Sequence, residues 1–365
     1  MEKIKEYLFI ILGMFILIGY GLSIFYDTPY LSSLILLLTS ISFVFTSKRI
    51  SIILVCAIIS IIILLVVSAL YSVSSIYSSY KLLWMSVNVF IVFSLLSIDQ
   101  RQLISFVNGL IYGTYLLILI SVPEFIGFFG TEITEFSRFK TEGSNEIFIA
   151  QLFLFSCILI LNKVSSHLIK LSVIYPVFLA VTTGSKGPIL AFIISLMSKR
   201  YIKYVLIMII ALVVFYIVID SPFGNLIYNR FVGPSSLNSG SSRIQLYIFA
   251  FEYINEFSIF DFLLGKGLGS FGYYFYGHDE MMYPHNIFIE ILFELGIVAL
   301  IVFIVFNIFI LIRYNDSNCL LGRTLVVFAI ITWQFSGDFS TNIFYYISLP
   351  LLLRGKEIGR NYISR

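Results

Sequence analysis

Apolar runs close to membrane-spanning length recur along nearly the whole chain, at about 7–25, 30–46, 50–70, 81–98, 103–122, 146–162, 168–182, 188–198, 202–219, 287–312, 322–337 and 341–353. Backbone in hydrocarbon must satisfy its own hydrogen bonds, so a run of roughly 20 apolar residues implies a spanning helix. The pattern predicts an all-α polytopic membrane protein with about twelve transmembrane helices in a single transmembrane domain over residues 1–365. Composition agrees, because 59% hydrophobic residues, 12% charged residues and a mean hydropathy of +0.99 lie outside the range of soluble domains. The run at 188–198 is the shortest, with Gly184, Gly187 and Pro188 beside it. The charged start at Met1–Tyr7 resembles that of a signal peptide, but no small-residue cleavage site follows, so 7–25 is read as the first span.

Alternate loops collect the positive charge. Of the 23 Lys and Arg, 16 fall on the side that holds both termini, and the remaining 7 (Lys81, Arg138, Lys140, Lys186, Arg230, Arg243 and Lys266) fall on the other, although its loops are longer. The bias predicts cytoplasmic termini. The small net charge of +3, scattered between spans, gives nucleic acid nothing to bind. Cys56, Cys157 and Cys319 show neither metal-ligand spacing nor a pair for a disulfide.

Two outer segments exceed turn length, 123–145 and 220–286, and loops this long usually carry function. The second is dense in Phe, Tyr, Ile and Leu, which argues against disorder. Within it, Ser242 and Gln245 have capping-box spacing, and Ile244, Ile248, Phe251 and Ile254 recur at helical intervals, so an amphipathic helix is expected over about 243–257. Its apolar face should rest on the bilayer boundary or the bundle, leaving Gln245, Glu252, Asn255 and Glu256 to water. Gly267, Gly269 and Gly272 formally match GxGxxG, but no strand precedes them and a dinucleotide site is rejected. The glycines indicate either a backbone bend or a loop whose N–H groups admit phosphate oxygens.

Tyr283-Pro284-His285-Asn286 then leads into a span carrying Glu290 and Glu294. Imidazole is the usual proton acceptor near neutral pH, and His285 stands at a helix start facing the outer side. Asn286, Glu290 and Glu294 share one helix face, which should be buried against protein or water rather than lipid. The plainer reading of Glu290 is a complement to the helix dipole. His278, Asp279 and Glu280 near His285 lack a recognised ligand spacing, so no metal site is expected. Snorkelling from helix ends accounts for Lys81 and Arg230. Lys186, Arg243 and His285, with Arg138 and Lys140, remain to supply converging positive charge, as a pyrophosphate requires.

The succession Ser242-Arg243, an amphipathic helix, Gly265-x-Gly267-x-Gly269, and His285-Asn286 opening the span IFIEILFELGI resembles the Wzy/WaaL superfamily of O-antigen polymerases and ligases. Ser185-Lys186-Gly187 resembles that family's Ser-Arg-Gly step, and Arg138 to Ala150, with Gly143 and Asn145, resembles its first outer loop. Lysine stands at 186 where arginine is usual, and the proline common before Asn145 is missing. The resemblance implies a GT-C-like architecture and a metal-independent, cofactor-free, inverting glycosyltransferase at the outer face of the bacterial inner membrane. Its substrates would be undecaprenyl-pyrophosphate-linked oligosaccharides in a setting of membrane lipid, with a chain-length regulator as a further partner. Arg243 and His285 would be catalytic, Arg243, Lys186, Arg138 and Lys140 would hold pyrophosphate, and Asn286, Glu290 and Glu294 would support them. Polymerase is favoured over ligase because the modest length and Ile-, Phe- and Tyr-rich character resemble divergent polymerases. A polysaccharide flippase, the alternative from another class, would carry polar groups within its spans, and the interior here reads as poor in charge.

Overall fold

The computed structural model describes residues 2–25, 52–130, 139, 145–163, 170–197, 241–335 and 337–358. Among them the regular elements are helices: α1 (Glu2–Phe25), α2 (Ile52–Leu70), α3 (Ile76–Ser97), α4 (Gln100–Gly130), α5 (Glu146–Lys163), α6 (Ile174–Thr182), α7 (Lys186–Ser195), α8 (Ser241–Asn255), α9 (Ile259–Leu264), α10 (Phe271–Tyr276), α11 (Ile287–Arg313), α12 (Leu320–Thr332) and α13 (Ile343–Leu353). The expected runs at 30–46 and 202–219 lie outside the described residues; the other ten coincide with helices. Among the described residues four segments are long and apolar enough to cross a membrane: Lys3–Ile24, Ile76–Ser97, Gln100–Phe128 and Ile287–Arg313. These helices mark a membrane protein. Many of their residues are Ile and Val, middling helix formers in water, but hydrocarbon offers the backbone no other hydrogen-bond partner.

The helices belong to two compact units. In the first, comprising 1–39, 99–239 and 357–365, α1 and α4 cross at close range. A Cβ on Gly13 would strike the Phe106 carbonyl, and one on Gly109 the Ile10 carbonyl, so these backbones touch where side chains would hold them apart. α5 is buried on nearly every side from Ile149 to Leu161, as suits an element apolar all round. α4 continues through Pro123 to Gly130, beyond the expected start of the first outer loop. Proline removes one backbone donor, and a membrane helix tolerates that loss when neighbours compensate.

In the second unit, comprising 40–98 and 240–356, α12 and α13 pack together, α13 packs on α3, and α3 packs on α2. Arg354 donates to the carbonyls of Leu95 (3.1 Å) and Ile98 (2.6 Å), closing the C-terminal end of α3 where backbone acceptors lack helical partners. α8, α9 and α10 fold the long loop back onto the first turns of α11. α11 is two helices joined at Gly296, whose φ of 80° breaks the ladder.

Candidate active site

The long loop is organised around an aromatic cluster. Leu246 and Ala250 of α8, Phe271 of α10, and Ile289 and Phe293 of α11 are buried together, with Phe249, Tyr253, Ile254 and Phe257 packed around them. Phe271 meets Phe293 edge-on at 5.1 Å and Phe249 meets Phe275 at 5.0 Å, the quadrupole-favoured arrangement. The expected helix is therefore present, but its apolar residues are split. Ile254 faces the cluster, while Ile244, Ile248 and Phe251 are exposed beside Gln245, Glu252, Asn255 and Glu256.

This packing presents the first turns of α8 to His285. Arg243 and Tyr247 stand one turn apart; the Tyr247 hydroxyl lies 3.5 Å from the His285 carbonyl, and the Arg243 charge acts on both side chains. Tyr283 packs against the imidazole at a tilt, with ring centroids 4.4 Å apart. Burial, and then the nearby Arg243 guanidinium, push His285 down to about 4, so the ring is neutral at physiological pH. Its Nδ1 is buried without a hydrogen-bond partner among the described residues. Arg243 has no carboxylate partner among them either, and its charge reaches the neutral imidazole.

His285 is held in an uncommon backbone conformation. Its φ of 56° makes it the one non-glycine residue with positive φ among the described residues, a region that costs on the order of 1–3 kcal/mol. The strain is imposed from the following residues. Asn286 caps α11, its Oδ1 accepting from Phe288 N (3.0 Å) and Ile289 N (3.2 Å), while Ile287 N donates to the Trp333 carbonyl at 3.2 Å. Asn286 is thus the N-cap of α11.

Glu290 and Glu294 are fully buried, as the shared face required, but their partner corrects the reading of Lys81. α3 begins at Ile76, so Lys81 lies more than a turn inside the helix, 0% exposed, and cannot snorkel. Its Nζ donates to Glu290 Oε1 at 2.5 Å and to both Glu294 oxygens at 2.8 and 2.9 Å, and lies over the Tyr77 and Phe339 rings at 4.6 and 4.9 Å. Buried Asp338 stands next to this group, accepting from the Tyr77 hydroxyl at 2.5 Å and from Ser340 and Thr341. The expectation of an interior poor in charge therefore fails for this unit. Two carboxylates meeting one ammonium explains Glu290 better than the helix dipole does, because fully desolvated charges are dominated by their nearest partners.

The glycine-rich bend is part of the same construction. Gly267 N donates to the Glu294 carbonyl at 3.0 Å, Lys266 N to the Phe293 carbonyl at 2.8 Å, and Gly269 N to Glu294 Oε2 at 2.8 Å. These donors are consumed within the protein, so of the two readings of the bend the structural one holds and the phosphate cradle does not. Gly265 and Gly296 make the approach possible: a Cβ on the first would enter the Glu294 backbone, and one on the second the Leu263 carbonyl.

Among the described residues no group of three or more His, Cys, Asp or Glu could hold a metal ion. Asp279 has another task. It accepts from Ser74 Oγ (2.5 Å), Ser75 N (3.0 Å) and Ile76 N (2.9 Å), capping α3 from 203 to 205 residues away in sequence. Burial works to raise its carboxyl, but the donors of Ile76, Ser74 and Ser75 outweigh burial and hold it below the ordinary aspartate range.

Lys186 belongs to the first unit, where it is the first residue of α7. A cation there opposes the helix dipole. Arg138 and Lys140 lie outside the described residues, but Phe139 between them is buried and donates its N–H to the Thr182 carbonyl at 3.1 Å, placing that point of the loop at the end of α6. Asn145 accepts from Ile147 N at 2.9 Å and so caps α5. Sequence reasoning missed Tyr247, Tyr77 and Asp338, which carry no motif and gain their meaning through pairing with residues distant in sequence.

Comparison with curated proteins finds no match to this chain. Residues 151–304 match the family model Wzy_C, described as O-antigen ligase. That stretch takes in Lys186, the described part of the long loop and the opening of α11, and the match supports membership of the Wzy/WaaL superfamily.

Proposed function

We propose that the protein polymerises undecaprenyl-pyrophosphate-linked oligosaccharide repeat units at the outer face of the inner membrane, by glycosyl transfer centred on His285 and Arg243. The carrying observation is the pair itself: a neutral, half-buried imidazole under the electrostatic influence of a guanidinium that no described carboxylate neutralises. His285 takes the proton of the incoming sugar hydroxyl as its oxygen bonds to the anomeric carbon. The bond from that carbon to the pyrophosphate oxygen breaks, the electron pair leaves with undecaprenyl pyrophosphate, and Arg243 stabilises the departing charge. Attack opposite the leaving group inverts the anomeric centre.

Substrate binding also strengthens the base. Arg243 helps to hold His285 down, and a pyrophosphate paired with Arg243 offsets that charge, so proton affinity rises as the donor arrives. Lys186, Arg138 and Lys140 are proposed as further pyrophosphate ligands. The ligase reading, transfer of finished polysaccharide to lipid A core, is favoured by the description of the matching family model.

In a polymerase-null cell, His285→Ala and Arg243→Ala are each expected to leave surface lipid with a single repeat unit. A normal ladder from folded, membrane-inserted variants would remove both residues from the mechanism. Purified protein given undecaprenyl-linked repeat units alone should build a ladder. Transfer that appears only after lipid A core is added would establish the ligase instead.

A further inference from the structure

α9 is apolar in a place where a water-facing loop would not be. All of its residues are at least partly exposed, including Ile259 at 67% and Phe260 at 72%, with Leu264 beside them. Its polar groups are nevertheless satisfied locally. Ser258 and Asp261 form a reciprocal capping box, Asp261 pairs with Lys266 at 2.7 Å, and the Leu264 carbonyl accepts from the Tyr71 hydroxyl at 2.7 Å.

The flanks of α9 identify its surroundings. Tyr71 is the residue after α2, whose final residue Leu70 is 80% exposed. On another side, Gly296 packs so closely on Leu263 that no Cβ would fit, and from there the second half of α11 runs to Arg313 with Val298, Ile301 and Val302 exposed. α2 has 19 residues and this half of α11 extends about 25 Å, lengths that approach the roughly 30 Å of bilayer hydrocarbon. α9 therefore sits level with the ends of two apolar helices and continues their lipid-facing sides.

We propose that α9 is an interfacial anchor whose Ile259, Phe260 and Leu264 side chains insert among the acyl chains of the leaflet on the His285 side. The occupant is bulk membrane lipid, because the exposed surface of α9 is continuous with the surface that α2 and α11 present to hydrocarbon. A short helix with its backbone ends capped and its one acidic group paired meets the condition for entering that boundary. α9 is also braced against Glu294 through Gly265 and Gly296, so its depth fixes the depth of the loop. The inference does not depend on the reaction proposed above.

Site-directed spin labelling of the full chain in phosphatidylethanolamine–phosphatidylglycerol bilayers tests it. Cys56 is the exposed cysteine and is replaced by serine, while Cys157 and Cys319 are buried. A nitroxide at Phe260→Cys should collide severalfold more often with oxygen than with a water-soluble nickel chelate, like a control label at Val302→Cys and opposite to one at Glu280→Cys. Ile259→Cys serves as a second reporter should the first variant fold poorly. Nickel accessibility matching position 280 would place α9 in water and overturn the proposal. Dipolar broadening that disappears on dilution with unlabelled protein would overturn it in favour of a second copy, and low accessibility to both reagents would overturn it in favour of a protein cover.

Discussion

His285 combines positive φ, a buried Nδ1 and a neutral ring, the three features on which its proposed role as the base rests. The base must be unprotonated, so kcat/KM, which reports the free protein, should be flat near neutrality and fall as pH drops through about 4. Replacing Arg243 with Gln removes the charge that adds to burial in depressing His285 and should raise the imidazole's own titration, read by NMR without turnover. A titration unmoved by the substitution would show that Arg243 does not act on the ring. Lys81 poses a different question. Removing it strands two carboxylates, and breaking a buried pair costs about 3–5 kcal/mol, so Lys81→Met should unfold at much lower temperature in detergent. Adding Glu290→Gln and Glu294→Gln should restore much of that loss, and a triple variant no more stable than the single would contradict the ion-triad account. The carboxylates were legible from their spacing. Their lysine was not, because a helix start placed five residues late puts Lys81 at the membrane edge.

Helices were legible because hydrophobic periodicity is local, whereas caps and bends that depend on distant partners were not. α3 shows the difference. Its apolar run is plain, but its N-terminal cap comes from Asp279 on the far side of the long loop. Because the folded carboxyl lies below its ordinary value of 3.8, its charge contributes stability that is complete above that value and lost as pH falls through the lower, folded one. Hydrogen exchange over residues 75–79 should therefore speed up in Asp279→Asn relative to the parent protein at neutral pH, and the difference should shrink in acid. Equal protection at neutral pH would rule out the cap. α8 shows the same limit in another form: its period was readable, but which apolar stripe turns inward was decided by Phe271 and Phe293, residues of other elements. The first outer loop was drawn from Pro123, where the apolar run ends, and α4 passes through it to Gly130.

At the scale of the whole molecule, hydropathy and the charge bias carry most of what is known. They yield a helical membrane protein, and the match over 151–304 supports its superfamily. The bias also predicts the sidedness of the ends: a reporter active only in the cytoplasm should work when fused after Arg365, while one inserted after Glu280 should be silent. The reverse pattern would invert the assignment and put His285 on the wrong side for a lipid-linked donor. The lysine triad has a consequence for how such a chain is made. Lys81 precedes Glu290 by 209 residues, so at roughly 5–20 residues per second the ribosome takes about 10–40 s to deliver its counterion. For that interval α3 holds a cation without the carboxylates that meet it in the folded protein. Its final seating is therefore a late event of biosynthesis, and a nascent chain that stops before residue 290 displays an intramembrane charge that quality control can detect.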